Sequence, residues 1–416
     1  MKSWQQAIKT KFLYFLLASF FCQICFAPAA KSQNFTFNDG RTKDVLAFDF
    51  IKNLIVIPVY INNKGPFNFI LDTGVGPMVI TNPKLIDSIG LTGLRQVKIA
   101  GFGGGDEMFA NVARTSVTSI GEASVKDLMI FVLKEDVFNL SSYVGKEIAG
   151  LVGHDFFKDF IVKVNYPTQR ITFSSPGKND KIRGEKIPFE LINNKPYISA
   201  RIQTEALGKI GVKLIVDCGA SHALSLETYN DKVFQPSAVN IQGNLGIGLS
   251  GPINGHIGRT PTLGLGNFTF KNVLTNFPTY NEIAKTNFKE RNGNLGADIL
   301  KRFHVTFDYQ HKVMYLQKNE FFKRPFEHDM SGMELYMSGA PDHYCLLGRI
   351  EPDSPAEKAD FHLNDQIISI NLRAIEDFSL DEVSALFKSG DGRVLIIEIL
   401  RDKKILVKLL KLRKRV

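Results

Sequence analysis

The sequence predicts a mainly β protein built as two pseudo-symmetric β-barrel lobes, residues 45–176 and 186–318, followed by an α+β domain at 329–412. Three observations predict it. Two short blocks recur in the same order at nearly the same spacing. Within each copy, short Val/Ile/Phe-rich runs are separated by Gly, Asn and Pro clusters, the punctuation of β-strands and turns. Beyond residue 325 the pattern changes to strands alternating with short amphipathic helices. The 416 residues suffice for two or three compact units, and 44% hydrophobic with 22% charged residues is an ordinary globular composition.

Residues 1–32 read as a targeting segment. Lys2, Lys9 and Lys11 precede an apolar run from Phe12 to about Ala27, and the small residues Ala27, Ala29, Ala30 and Ser32 follow. Basic, then apolar, then small is the order of a secretory signal peptide, with cleavage after Ala29 or after Ser32. The apolar run is shorter than the ~20 residues a membrane span needs, which favours removal over an uncleaved anchor. The expectation is an exported protein, periplasmic or extracellular, with no integral membrane span after cleavage. Cys22 and Cys25 leave with the signal, so Cys218 and Cys345 are no disulfide framework and the cores must supply the stability.

The net charge of +9 falls to +5 without the four lysines of residues 1–32, and seven of the remaining positive charges lie after Asp402. No uniform basic face remains, so nucleic acid is not an expected partner. The basic tail reads as a solvated strand and terminus.

The repeat organises the rest. Phe69-Ile70-Leu71-Asp72-Thr73-Gly74 is echoed by Leu214-Ile215-Val216-Asp217-Cys218-Gly219, and Gly150-Leu151-Val152-Gly153-His154-Asp155 by Gly293-Asn294-Leu295-Gly296-Ala297-Asp298. The separation from Asp72 to Gly153 is nearly the same as that from Asp217 to Gly296. The echo continues from Phe160–Phe173 to Phe303–Leu316. Lys84–Ile89 and Ala297–Lys301 read as short helices, with Asp155 and Asp298 as helix caps. Gly-rich stretches begin at the same distance after each Asp, at Gly101–Gly105 and Gly246–Gly251, and read as hairpin tips.

A single Asp before a turn is readily a turn cap; two in symmetry-related loops point to a pair. Carboxylates within hydrogen-bonding distance cannot both ionise cheaply, so they hold one proton between them. One then deprotonates a water while the other donates to a carbonyl. His154, His222 and His256 are isolated and read as structural or solvent-exposed. Cys218 has no His placed for a thiol triad.

These motifs resemble the aspartic peptidase family, in the broad pepsin and retropepsin sense, across both lobes. Asp72-Thr73-Gly74 matches its Asp-Thr-Gly motif, Asp217-Cys218-Gly219-Ala220-Ser221 its Asp-x-Gly-Ala-Ser, and Leu151-Val152-Gly153 and Asn294-Leu295-Gly296 its apolar-apolar-Gly segments. The resemblance implies acid-protease-like lobes, Asp72 and Asp217 as catalytic dyad, and no cofactor or metal. It places Thr73, Gly74, Cys218 and Gly219 in the loops and Gly103, Gly104, Gly248 and Ser250 in flaps over an extended polypeptide substrate. Cys218 departs from the family's Thr or Ser, and Val75-Gly76 from its Ala-Ser or Ser-Ser. With these departures the alternative to an endopeptidase is an exported, catalytically inactive peptide-binding scaffold.

In residues 329–412, Ser354-Pro355-Ala356 and Asp365-Gln366-Ile367 resemble a PDZ domain. Ser379 and Glu382 are spaced as a capping box opening a helix at 379–387. The resemblance implies an extended peptide C-terminus bound by strand addition beside that helix, with the carboxylate loop near Ser331–Leu335. Asp360 and Asn364 stand where the family shows Gly.

Overall fold

The structure, a computed structural model, describes residues 33–99, 108–177, 181–248, 251–279, 291–337 and 344–416. Residues 1–32, read above as a targeting segment, lie outside the described residues. The architecture is mainly β, with the two lobes and the C-terminal α+β domain that the sequence predicts.

Each lobe is built on the same crossed loop. In the first, Gly150–Val152 runs parallel to Lys64–Leu71 on one side and antiparallel to Met78–Ile80 on the other. In the second, Gly293–Leu295 sits between Gly208–Val216 and Leu224–Leu226 in the same senses. The registers coincide: Leu151 pairs with Ile70 and Asn294 with Ile215, each partner standing just ahead of its Asp at the same offset. Short helices follow each Gly, His154–Phe157 and Ala297–Leu300, and lead into the strands Ile161–Asn165 and Phe303–Asp308.

Those two strands pair antiparallel with each other, Ile161 opposite Asp308 and Asn165 opposite His304. They centre a six-stranded sheet with three strands from each half. The alternating Phe, Val and Tyr residues of this region bury their inner face, so one apolar core runs through both lobes. Phe157 packs on Phe307 at 5.2 Å and on Tyr309 at 5.3 Å between ring centres, across the boundary of the repeat.

The core exceeds the repeat at both ends. Phe35 belongs to it upstream of residue 45, and Phe326 downstream of 318, with Phe321 and Phe322 packed alongside. Arg302 explains the downstream extension: its guanidinium lies over the Phe326 ring at 3.7 Å and donates to the carbonyls of Arg324 and Pro325.

The C-terminal domain has its own core, including Leu335, Leu347, Ile367, Val383, Phe387 and Ile397. Its helix Leu380–Phe387 opens with a complete Ser379/Glu382 capping box. Asp360 and Asn364 adopt φ of 60° and 69°, the left-handed turns for which glycine is the usual residue.

Two expectations are corrected. Asp155 and Asp298 do not cap their helices. Asp155 accepts instead from the Met78 N–H at 3.1 Å, tying helix to sheet, and Asp298 pairs with Lys301 and Arg302. Nor is the terminus solvated throughout: Val416 is buried, its carbonyl accepts from Arg259, and Arg415 pairs with Glu351. Apolar Val416 gains by burial, while Glu351 compensates the charge beside it.

Candidate active site

The two Asp-x-Gly loops leave their lobes from the ends of apolar strands and meet. Backbone bonds fix each start, Asp72 N–H to the Val152 carbonyl at 2.8 Å and Asp217 N–H to Leu295 at 3.0 Å. The side chains after each Asp then cross to the opposite loop. Thr73 Oγ1 donates to the Val216 carbonyl at 2.8 Å and accepts from the Cys218 N–H at 3.0 Å. Reciprocally, Cys218 Sγ donates to the Leu71 carbonyl at 3.2 Å and accepts from the Thr73 N–H at 3.3 Å. The thiol thus makes the same two contacts as the threonine hydroxyl opposite, with longer and weaker bonds. Both residues are buried. Burial also pushes the Cys218 thiol well above its ordinary range, so it stays protonated and inert at neutral pH.

This tie sets the carboxyl groups of Asp72 and Asp217 side by side, each against the other's loop and close enough to act on one another. Each also accepts from its own loop, Gly74 N–H to Asp72 at 2.6 Å and Gly219 N–H to Asp217 at 3.0 Å. The glycines are needed for the approach: a Cβ on Gly74 would lie 2.7 Å from the Asp217 carboxyl, and one on Gly219 2.3 Å from that of Asp72. Burial first, and then the neighbouring charge of Asp217, raise the Asp72 carboxyl well above the usual carboxylate range. Such a pair can hold one proton at a pH where isolated carboxylates have lost theirs.

Of the other sequence-predicted residues, Thr73, Gly74, Cys218 and Gly219 lie in the meeting loops. Gly248 closes the arm Ile241–Gly248 of a hairpin whose other arm is Gly251–Leu265. Arg95–Ile99 and Met108–Arg114 form the matching arms in the first lobe. Gly103, Gly104 and Ser250 lie outside the described residues.

Sequence reasoning missed two side chains at the site. Asn294 donates Nδ2 to Asp217 Oδ2 at 2.7 Å. Lys195 lies within electrostatic range of both carboxylates. The signal for Asn294 was available, an amide where Leu151 stands in the first copy. Lys195 carries no motif.

The C-terminal domain sits against both lobes. A cavity of about 610 Å³ lies between them, lined by Asn53 and Tyr143 of the first lobe, Ser221 of the second, and Leu335, Leu380 and Val383 of the C-terminal domain. The strand Met333–Met337, at the sheet edge beside the helix Leu380–Phe387, is already engaged. Lys52 Nζ donates to the Leu335 carbonyl at 3.1 Å and the Lys52 N–H to Asp381 Oδ1 at 3.0 Å. The helix Leu140–Val144 packs on the same strand. Burial lowers the Lys52 ammonium to about 8 against the opposing pull of Glu334 and Asp381. On the same turn, Asn53 Nδ2 donates to the Ser221 carbonyl, at the end of the Asp217 loop, at 2.8 Å.

The comparisons fall on these regions. Residues 57–156 match the aspartyl protease family profile and residues 348–401 the PDZ domain profile. The chain thus joins an aspartyl-protease-type segment to a C-terminal PDZ domain. Among solved structures it is similar to an aspartic proteinase from Irpex lacteus, at 10% identity and TM-score 0.41, covering 68% of this chain and 99% of that one. It is also similar to a retropepsin-like aspartic protease from Rickettsia conorii, at 14% identity and TM-score 0.25, covering 34% and 94%. No curated protein matches the chain.

Proposed function

We propose that this protein is an aspartic-type endopeptidase in which Asp72 and Asp217 hydrolyse peptide bonds with an activated water. The observation that carries the reading is the reciprocal Thr73/Cys218 tie, which sets the two Asp loops and their carboxyls side by side. A pair with one proton supplies a base and an acid side by side. The carboxylate takes a proton from water as its oxygen bonds to the scissile carbonyl carbon, and the partner carboxylic acid protonates the carbonyl oxygen. As the resulting diol collapses and the C–N bond breaks, one diol hydroxyl returns its proton to the partner carboxylate, and the proton taken from water passes to the leaving nitrogen.

The substrate is polypeptide, lying between the dyad and the hairpins of both lobes. The PDZ domain supports recruitment of peptide chain ends, for which the Lys52 turn must leave the Met333–Met337 edge. The pattern of residues 1–32 supports export. Incubating an unfolded protein with the purified chain, and with Asp72→Asn, tests the reading by mass spectrometry of the products. Peptide-bond cleavage is expected from the wild type and not from the variant.

A further inference from the structure

The two halves differ at two matching positions beside the dyad. Leu151 and Asn294 occupy the same register, opposite Ile70 and Ile215. Leu54 and Lys195 also correspond: Val56 pairs with Ile70 and Tyr197 with Ile215, and each of the two stands at the same offset before its paired residue. In the first lobe both positions are apolar, and Leu54 and Leu151 pack with Ile70 and Ile148. In the second lobe both are polar: Asn294 bonds Asp217, whereas the Lys195 ammonium lies within range of both carboxyls.

An amide N–H at 2.7 Å favours a charged carboxylate, whereas apolar neighbours favour a protonated one. Asn294 Oδ1 and His222 Nε2 are both buried without a hydrogen-bond partner among the described residues, and the two side chains are neighbours. The remaining charges near Asp217 are compensated locally, Arg291 by Glu227 at 2.8 Å and Asp298 by Lys301 and Arg302. Asp72 receives the Gly74 N–H from its own half. Burial and the charge of Asp217 raise the Asp72 carboxyl, in keeping with this asymmetry.

We propose that Asn294 is a positioning residue that holds Asp217 as the ionised base of the pair and leaves the shared proton on Asp72, the acid. The inference rests on the peptidase reading above for its chemistry, but the assignment of charge is separately measurable.

The test compares full-length wild type, Asn294→Leu and Lys195→Met, the substitutions that copy the first lobe's apolar character. The pH dependence of kcat/KM on one peptide is measured alongside a 13C-carboxyl NMR titration of labelled aspartates. Loss of a donor to ionised Asp217 raises the pH at which that base is lost. The acid limb of Asn294→Leu should therefore move up by about one to two pH units, while its alkaline limb, set by Asp72, should move little, a pattern that a merely structural role would not give. Lys195→Met, which removes a positive charge from beside both carboxyls, should move both limbs up together. An acid limb unmoved in Asn294→Leu overturns the assignment and leaves the peptidase reading intact. If wild type cleaves nothing at any pH but the Asp217 resonance shifts in the variants, the peptidase reading falls and the assignment stands. Should Asn294→Leu not fold, Leu151→Asn tests the other half. A donor given to Asp72 should lower the alkaline limb by about one pH unit, and an unmoved limb overturns the assignment.

Discussion

Replacing Cys218 by Val keeps the shape of threonine and removes every hydrogen bond the thiol makes. Two buried backbone groups then lose their partners, the Thr73 N–H and the Leu71 carbonyl. An orphaned buried polar group costs about 1–3 kcal/mol, and bonds to sulfur sit at the low end, so the loss is about 2 kcal/mol. At about 2 °C per kcal/mol for a unit of this size, Tm falls by about 4 °C. The larger effect is on turnover, because the same bonds hold the carboxyls in register; a misplacement of about 1 Å costs about 100-fold. Cys218→Thr restores an O–H donor in the same pose and should melt and turn over at least as well as wild type. Calorimetry with steady-state assays of the three proteins decides the matter. Wild-type Tm and activity in Cys218→Val would refute the tie as the element that aligns the dyad. A folded but inactive Cys218→Thr would point to thiol chemistry instead.

Asp72 is an acid whose folded pKa lies above its unfolded value, so its contribution to stability is lost as pH rises from the unfolded towards the folded pKa. Asp72→Asn should accordingly melt higher than wild type at neutral pH, and the difference should close below about pH 4, as thermal melts across pH will report. Lys52→Ala removes the bond to the Leu335 carbonyl, one of the contacts that occupy the strand Met333–Met337, and leaves the helix Leu140–Val144 packed on it. Binding of peptides with free C-termini, followed by fluorescence anisotropy, should tighten by about tenfold if the turn and the peptide compete. A chain cut after Asn319 loses Phe321, Phe322 and Phe326 from the main core and should unfold or aggregate. One cut after Glu327 should keep a cooperative melt, and the two are separated by calorimetry.

Much of this was legible in the sequence because the architecture is written twice. A strand ending in Asp-x-Gly and a second Gly-bearing block further along specify one crossed loop, and duplication of both in order implies the facing loop. The role of Cys218 was visible as a departure at the position that ties the loops. Asn294 was passed over because its block reads as apolar-apolar-Gly, although the amide is the departure that matters. Lys195 and Lys52 follow hairpin turns or lie within them, and which charge a turn meets is decided by tertiary docking that leaves no local pattern. The Phe35 and Phe326 ends of the core lie outside the repeat, so periodicity could not delimit them. Asp155 and Asp298 stand inside the first turns of their helices, past the cap positions that Gly153 and Gly296 hold, and their carboxyls go instead to the Met78 N–H and to the cations Lys301 and Arg302.

The central claim is that two carboxyls sharing a proton perform the hydrolysis, and the pH profile of kcat/KM on a single peptide tests it most directly. Wild type, Asp72→Asn and Asp217→Asn should be compared from about pH 3 to about pH 8, with Cys218→Ser as the thiol control. The account predicts a bell-shaped profile for wild type and for Cys218→Ser. Either Asn variant, folded, should lose at least about 1000-fold at every pH, because each removes one half of the acid–base pair. Cleavage surviving in a folded Asp72→Asn or Asp217→Asn protein, or lost only in Cys218→Ser, would contradict it.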